Sequence, residues 1–362
     1  MESGLIKRGM SPETPKTLKT STAPSWRPDS FGRRRPMLEI RARVTKAARA
    51  FFDAEGFTEV DTPALQLSPG NEVHLHAFAT EFIDPHAHER RAYYLHTSPE
   101  FAMKKLLVAG MPKIFQLAHA FRNGEWSARH HPEFIMLEWY RAGATLDAMR
   151  DDCVALVRAA ATAAGIARFS LGEATSDPFA EWDNLTVVDA FTRYAGIDLA
   201  SCLDDVEGLR RQMRGANLRA TEEDQWDDLF FRVLGEKIEP HLGHGRPTFL
   251  RDYPVSMAAL ARPKRNDPRF AERFELYICG YEIANAFDEL TDADEQERRF
   301  AADMDAKERL YGIRYPVDPD FIAALRHGMP DSAGIALGFD RLVMLCAGTR
   351  EIEDTLWLPI SK

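Results

Sequence analysis

The sequence predicts an α+β fold on three observations. Apolar residues recur at helical spacing in "MLEIRARVTKAARAFFDAEGF", two extended segments flank a polar turn in "KIFQLAHAFRNGEWSARHHPEFIMLEWYR", and an Ala-rich, helix-favouring run fills Leu146 to Ala164. The strand content alone leaves several sheet arrangements open. At 362 residues the chain is long enough for one large domain, and 45% hydrophobic with 28% charged residues is ordinary globular composition. No apolar run approaches the roughly 18 residues of a membrane span, and Cys153, Cys202, Cys279 and Cys346 are too scattered for a disulfide framework or a zinc site. A cytoplasmic protein is expected.

Charge is uneven. Residues 1–36 carry eight Lys or Arg against three acids, so the net −10 of the whole leaves about −15 on the remainder. An acidic body argues against a broad phosphate-tracking surface, which makes tRNA an unexpected partner. Residues 1–33 are rich in Ser, Thr and Pro without apolar period and are expected to form a disordered basic tail; residues 34–362 would form the catalytic domain.

In chain order, Val44, Ala48, Phe51 and Phe52 share a helix face that Gly56 ends. "FTEVDTPAL" alternates as a short strand closed by Pro63. In "YYLHTSPEFAMKKLLVAG" strand gives way to helix at Ser98, with Pro99 at the first helical position and Glu100 in the first turn, where an acid is favourable whatever its role. Along "EFIMLEWYR" Glu138 and Tyr140 share a face with Phe134 and Met136. An acid on such a face needs a cation, supplied either by the protein or by a ligand.

A second set of acids follows in "ERFELYICGYEIANAFDELTDADE". A hairpin around Gly280 would bring Glu275 and Glu282 together, and a divalent cation would relieve their repulsion; an oxygen-only pair favours magnesium over zinc. Glu289 reads alternatively as a solvated strand end before the acidic helix start at Asp292. In "GIALGFDRLVMLCAG" Gly334 and Gly338 permit close backbone approach by a ligand, and Arg341 projects from a helix start. Neither common glycine-rich phosphate loop is present. The pairs His74/His76, His86/His88 and His241/His244 read as surface histidines, and Ser98 has no nucleophile triad around it.

Five stretches in this order, "GFTEVDTP", "TSPEFAMKKLLVAG", "FRN…HHPEFIMLEWYR", "GYEIANAFDELTDA" and "GIALGFDRLVML", resemble the three signature motifs of class II aminoacyl-tRNA synthetases, lysyl branch. The resemblance runs from about Trp26 to the C-terminus. It implies an antiparallel sheet flanked by helices, with a helical insertion near 145–240. With a short tail where lysyl-tRNA synthetases carry an anticodon barrel, and Ala336 where they have Gly, the chain is similar to the short paralogues that ligate (R)-β-lysine to elongation factor P.

That resemblance implies the roles. Arg122 and Arg341 would act catalytically on ATP, with Asn123, His131, Glu282, Ile283 and Gly338 around the nucleotide. Glu275 and Glu282 would hold Mg2+. Ser98, Pro99 and Glu100 would take the amino and carboxyl end of (R)-β-lysine or lysine, while Glu138, Tyr140, Asn285 and Glu289 enclose its remote ammonium. A homodimer through the first motif is expected. Two positions depart from the pattern: Gly124 replaces the Glu that reads adenine, with Glu125 following, and His131 replaces Asn. Two other readings stay open, a minimal lysyl-tRNA synthetase and a non-catalytic lysine-binding paralogue; the acidic body and the absent anticodon module weigh against the first, the intact Arg122, Glu275, Glu282 and Arg341 against the second.

Overall fold

The computed structural model describes residues 24–86, 89–258 and 260–361. Most of the expected tail, and His88, therefore lie outside the described residues. Helix α1 (Pro28–Ala54) starts inside the stretch assigned to the tail, because Pro28 at the first position and Asp29 behind it suit a helix start. Its inner stripe, Leu38, Val44, Ala48 and Phe52, is buried. Buried Arg41 on the same stripe pairs with Asp340.

The first motif forms less strand than expected. Only β1 (Thr58–Glu59) pairs, in parallel with β5, before the chain passes through β2 (Leu65–Gln66), β3 (Phe78–Ile83) and β4 (Arg90–Leu95), which make a separate small sheet. Helix α2 (Glu100–Val108) begins one turn-position later than the sequence predicts: Pro99, not Ser98, is the capping residue, although the Ser98 hydroxyl still accepts the Glu100 N–H. The long hairpin is as expected, β5 (Lys113–Phe121) antiparallel to β6 (Glu133–Ala142) across nine residue pairs.

Helix α3 (Leu146–Ala164) does not open a helical excursion. Met149, Cys153, Leu156, Val157 and Ala160 pack in the main core with α1 and the central strands. The insertion is also not wholly helical, because β7 (Phe169–Leu171), β8 (Ala174–Ser176) and β9 (Asp183–Thr186) precede its helices α4 (Val187–Ala190), α5 (Val206–Gly215) and α6 (Trp226–Val233). Those helices enclose a second core built on Phe191, Leu209, Leu229, Phe230 and Val233.

The chain returns through β10 (Thr248–Arg251), the hairpin β11 (Arg273–Ile278) and β12 (Tyr281–Asp288), helices α7 (Ala293–Tyr311) and α8 (Pro319–Gly328), then β13 (Ser332–Gly338) and α9 (Phe339–Ala347). The main sheet has eight strands in the order β1-β5-β6-β13-β12-β11-β10-β9. Its six inner strands are antiparallel, but both edge pairs, β1 with β5 and β9 with β10, are parallel, so the sheet is mixed. One face carries the α1–α3–α9 core, and the other is left for a cavity. Among the described residues no helix is long and apolar enough to cross a membrane.

Candidate active site

The free face of β6, β13, β12 and β11 floors a cavity of about 320 Å³. Register explains which side chains meet there. Ala336 on β13 lies between Glu138 on β6 and Asn285 on β12, and Asn285 in turn faces Glu275 on β11. Of the expected site residues, Ser98, Glu100, Arg122, His131, Glu282, Ile283, Asn285, Gly338 and Arg341 line the cavity; Ala336 does so too. Pro99 does not line it and belongs to the neighbouring turn, while Asn123 sits just outside, its N–H bonded to the His76 carbonyl.

Glu138, Tyr140 and Glu289 lie one layer behind the wall, each almost fully buried. Glu138 accepts hydrogen bonds from Ser98 Oγ (2.6 Å) and Tyr140 Oη (2.8 Å). Burial, then the charge of Glu100, push its carboxyl up to about 8. Glu289, which the sequence also allowed as a solvated strand end, is instead wholly buried just past β12. It is not free to serve a ligand alone, because Lys104 Nζ lies 2.6 Å from its Oε2 and also pairs with Glu100. Burial opposes the Lys104 charge, but these two acids outweigh it and raise its pKa. Glu289 Oε1 has no partner among the described residues. Three carboxylates thus share one protein ammonium, and the layer falls short by two positive charges when all are ionised.

At the opposite end Arg122 packs over the Phe134 ring, 5.2 Å from its centroid, and its buried Nε has no hydrogen-bond partner among the described residues. Arg341 Nη1 donates to the Glu282 carbonyl and Nη2 to His130 Nε2 at 2.7 Å. Burial and the guanidinium groups of Arg341, Arg129 and Arg122 hold His130 near 4, so it stays neutral and accepts. His131, the histidine expected at ATP, reaches only the cavity's edge, with its ring nitrogens on the Glu133 carbonyl and the Ile360 N–H. His130 is the residue that faces the guanidinium cluster. The adjacent "HH" gave no basis for choosing between them. Glu125, next to the departing Gly124, lines the cavity 3.9 Å from Arg122.

The acid pair is asymmetric. Glu275 is fully engaged, with Oε1 on Arg273 and Oε2 accepting from Tyr253 (2.6 Å) and Tyr277 (2.7 Å). The Glu282 carboxylate has no hydrogen bond or ion pair among the described residues, and burial together with Glu275 raises its pKa. A bulge at Leu276/Tyr277 pairs Glu282 with Tyr277, not with Glu275. Among the described residues no set of three His, Cys, Asp or Glu side chains forms a metal cage. The donors suit a hard cation held by one free carboxylate and by a ligand's own oxygens, as magnesium commonly is.

Comparison with known proteins identifies the family. A family model described as class II tRNA synthetases (D, K and N) matches residues 32–362. A protein of Yersinia enterocolitica is 37% identical over 347 residues, covering 94% of this chain and 99% of its own. One of an Enterobacter species is 36% identical over 344 residues, with coverage of 94% and 99%. One of Photorhabdus laumondii is 38% identical over 323 residues, with coverage of 89% and 94%. All three are named elongation factor P (R)-β-lysine ligase. The chain belongs to the class II tRNA synthetases (D, K and N).

Proposed function

We propose that this protein activates (R)-β-lysine with ATP as an adenylate and transfers it to a lysine side chain of elongation factor P. The observation that carries the reading is the charge layout. A carboxylate layer short of cations lies behind one end of the cavity, and guanidinium groups with an unsatisfied Nε stand at the other. A doubly cationic amino acid beside a polyanion meets both demands, and the names of the three relatives supply the acceptor.

In the first step the amino-acid carboxylate attacks the α-phosphorus and pyrophosphate leaves. The carboxylate is already ionised, so the step needs no general base. Arg122, with its open Nε, is suited to the α-phosphate and the substrate carboxylate, and Arg341 to the folded triphosphate, where pre-positioned charge lowers the barrier. Glu282 would hold Mg2+ with Glu275 as its anchored neighbour, and the ion would supply neutralisation of phosphate charge. Glu125 is placed to stand in for the missing adenine-reading acid. Glu100 would take the near ammonium, and Glu138, Tyr140, Asn285 and Glu289 the remote one, with the Ala336 methyl narrowing the pocket between them. A homodimer through the first-motif edge of the sheet completes the reading.

The test is ATP–pyrophosphate exchange dependent on (R)-β-lysine and on lysine, followed by transfer to purified elongation factor P or to tRNA. Exchange with transfer to elongation factor P is expected. Charging of tRNA, or no exchange with either amino acid, would reject the proposal.

A further inference from the structure

The cavity has further acidic lining that the roles above leave unused. Gln296, Phe300, Asp303 and Lys307 recur at intervals of four, three and four on α7, which places them on one stripe. The first three line the cavity, opposite Glu72 from the loop that follows β2. Buried Lys307 does not neutralise this lining directly; its Nζ donates to the carbonyls of Glu72 (3.2 Å), Val73 (2.9 Å) and Leu75 (2.5 Å) and so clamps the loop.

Three observations point to a guest here. Gln296 is 1% exposed, yet its amide nitrogen has no partner among the described residues. Glu72 Oε2 is likewise buried and unpartnered, although a glycine at position 70 leaves it room. Asp303 makes no hydrogen bond or ion pair among the described residues, and burial followed by the charge of Glu72 raises it to about 7. Buried polar groups are nearly always satisfied, so two unsatisfied ones, with the unpaired Asp303 carboxylate beside them around one space, mark a binding site. The charges that face it are Glu100, Arg122 and Lys307 around Glu72, and Arg299 beside Asp303.

We infer that Glu72 and Asp303 receive the ε-ammonium of the acceptor lysine and that Glu72 takes its proton in the transfer step. This rests on the ligase reading. Two carboxylates suit a primary ammonium, the Gln296 amide nitrogen suits an oxygen of the same guest, and Glu72 lines one cavity with Arg122, the residue assigned to the α-phosphate. The ammonium enters past Asp303 and gives one proton to the Glu72 carboxylate. The freed lone pair attacks the adenylate carbonyl carbon, the C–N bond forms, and the C–O bond to the phosphate breaks with its electron pair leaving on AMP. The second N–H proton goes to the departing phosphate.

The experiment compares two rates in the full-length protein and in Glu72→Gln and Asp303→Asn variants: pyrophosphate exchange with (R)-β-lysine, and transfer to purified elongation factor P. The ratio of transfer to exchange should fall by roughly tenfold or more in each variant, as expected for loss of a general base or of the group that docks its substrate. Exchange itself reports folding. An unchanged ratio overturns the inference, whether both rates persist or both fall together with a raised amino-acid KM, because the acids would then belong to no acceptor. If the unaltered protein shows no exchange, or charges tRNA, the ligase reading fails first and takes this site with it.

Discussion

Glu138 concentrates the electrostatics of the amino-acid end in one side chain. Its carboxyl sits at about 8 in the folded protein against an ordinary value of 4.5, with burial the largest cause. Between those values the folded chain holds a proton that the unfolded chain has released, so stability without ligand falls as pH rises through that window. The Glu138→Gln variant cannot ionise and should lose this part of the decline, melting a few degrees above the parent at pH 8 and much closer to it at pH 5; thermal unfolding at the two pH values checks this. Substrate reverses the sign. A ligand ammonium favours the carboxylate, so binding below pH 8 releases a proton and amino-acid affinity should climb from pH 6 to 8. The same variant should flatten that climb and raise KM for the diamino acid by about 10- to 100-fold in exchange assays, the worth of a charge-assisted hydrogen bond. Stabilisation without ligand and weakening with it, from one substitution, separates a binding acid from a structural one.

Strand β13 joins the two halves of this pocket, and Gly334 is where it has least room. A Cβ there would collide with the Tyr140 ring and come within 2.5 Å of Glu289 Oε1. Gly334→Ala should therefore destabilise the protein by about 1–3 kcal/mol, read as a lower urea midpoint, and displace Tyr140 enough to raise the amino-acid KM without changing KM for ATP. The sequence marked Gly334 as a place of close approach, but it could not say that the approaching group was a neighbouring strand's tyrosine. The same division holds along the chain. The β5–β6 hairpin was legible because a polar turn separates two long extended runs, and the α7 start because Asp292 caps it, accepting the N–H groups of Asp294 and Glu295. The parallel edge pairs were not legible, since β1 and β9 hold two and four residues and depend on partners far away in sequence. Lys104 stood inside a quoted motif, yet its pairing with Glu289 joins residues on separate elements and has no local signature. Glu72 and Asp303 escaped for the same reason. Resemblance named residues of which most line one cavity, whereas the groups that pair with them or extend the cavity came from topology.

At the scale of the molecule, two cores meet at one carboxylate. The main core fills the space between α1, α3, α9 and the sheet, while the helical insertion buries its own cluster, which includes Tyr253 and Tyr277. Both tyrosine hydroxyls turn from that second core onto Glu275 Oε2, and Arg273 holds the other oxygen. The second core, which the insertion's helices complete, thus fixes the acid beside Glu282 through Tyr253 and Tyr277, and contributes no helix to the cavity. Burial, with Glu275 next, raises the Tyr253 hydroxyl well above its ordinary value, so it remains a donor throughout the working pH range. Tyr253→Phe removes one of these donors and leaves the ring. A hydrogen bond to a charged group is worth roughly 1.5–3 kcal/mol, so the variant should unfold at lower urea by about that amount. If the insertion acts on the site through Glu275, exchange should slow in parallel and require more Mg2+ for half-maximal rate, while KM for the amino acid stays near its parent value. Loss of stability with an unaltered Mg2+ requirement would instead make the tyrosine pair a support for the second core alone, and would free the insertion from any part in holding the nucleotide.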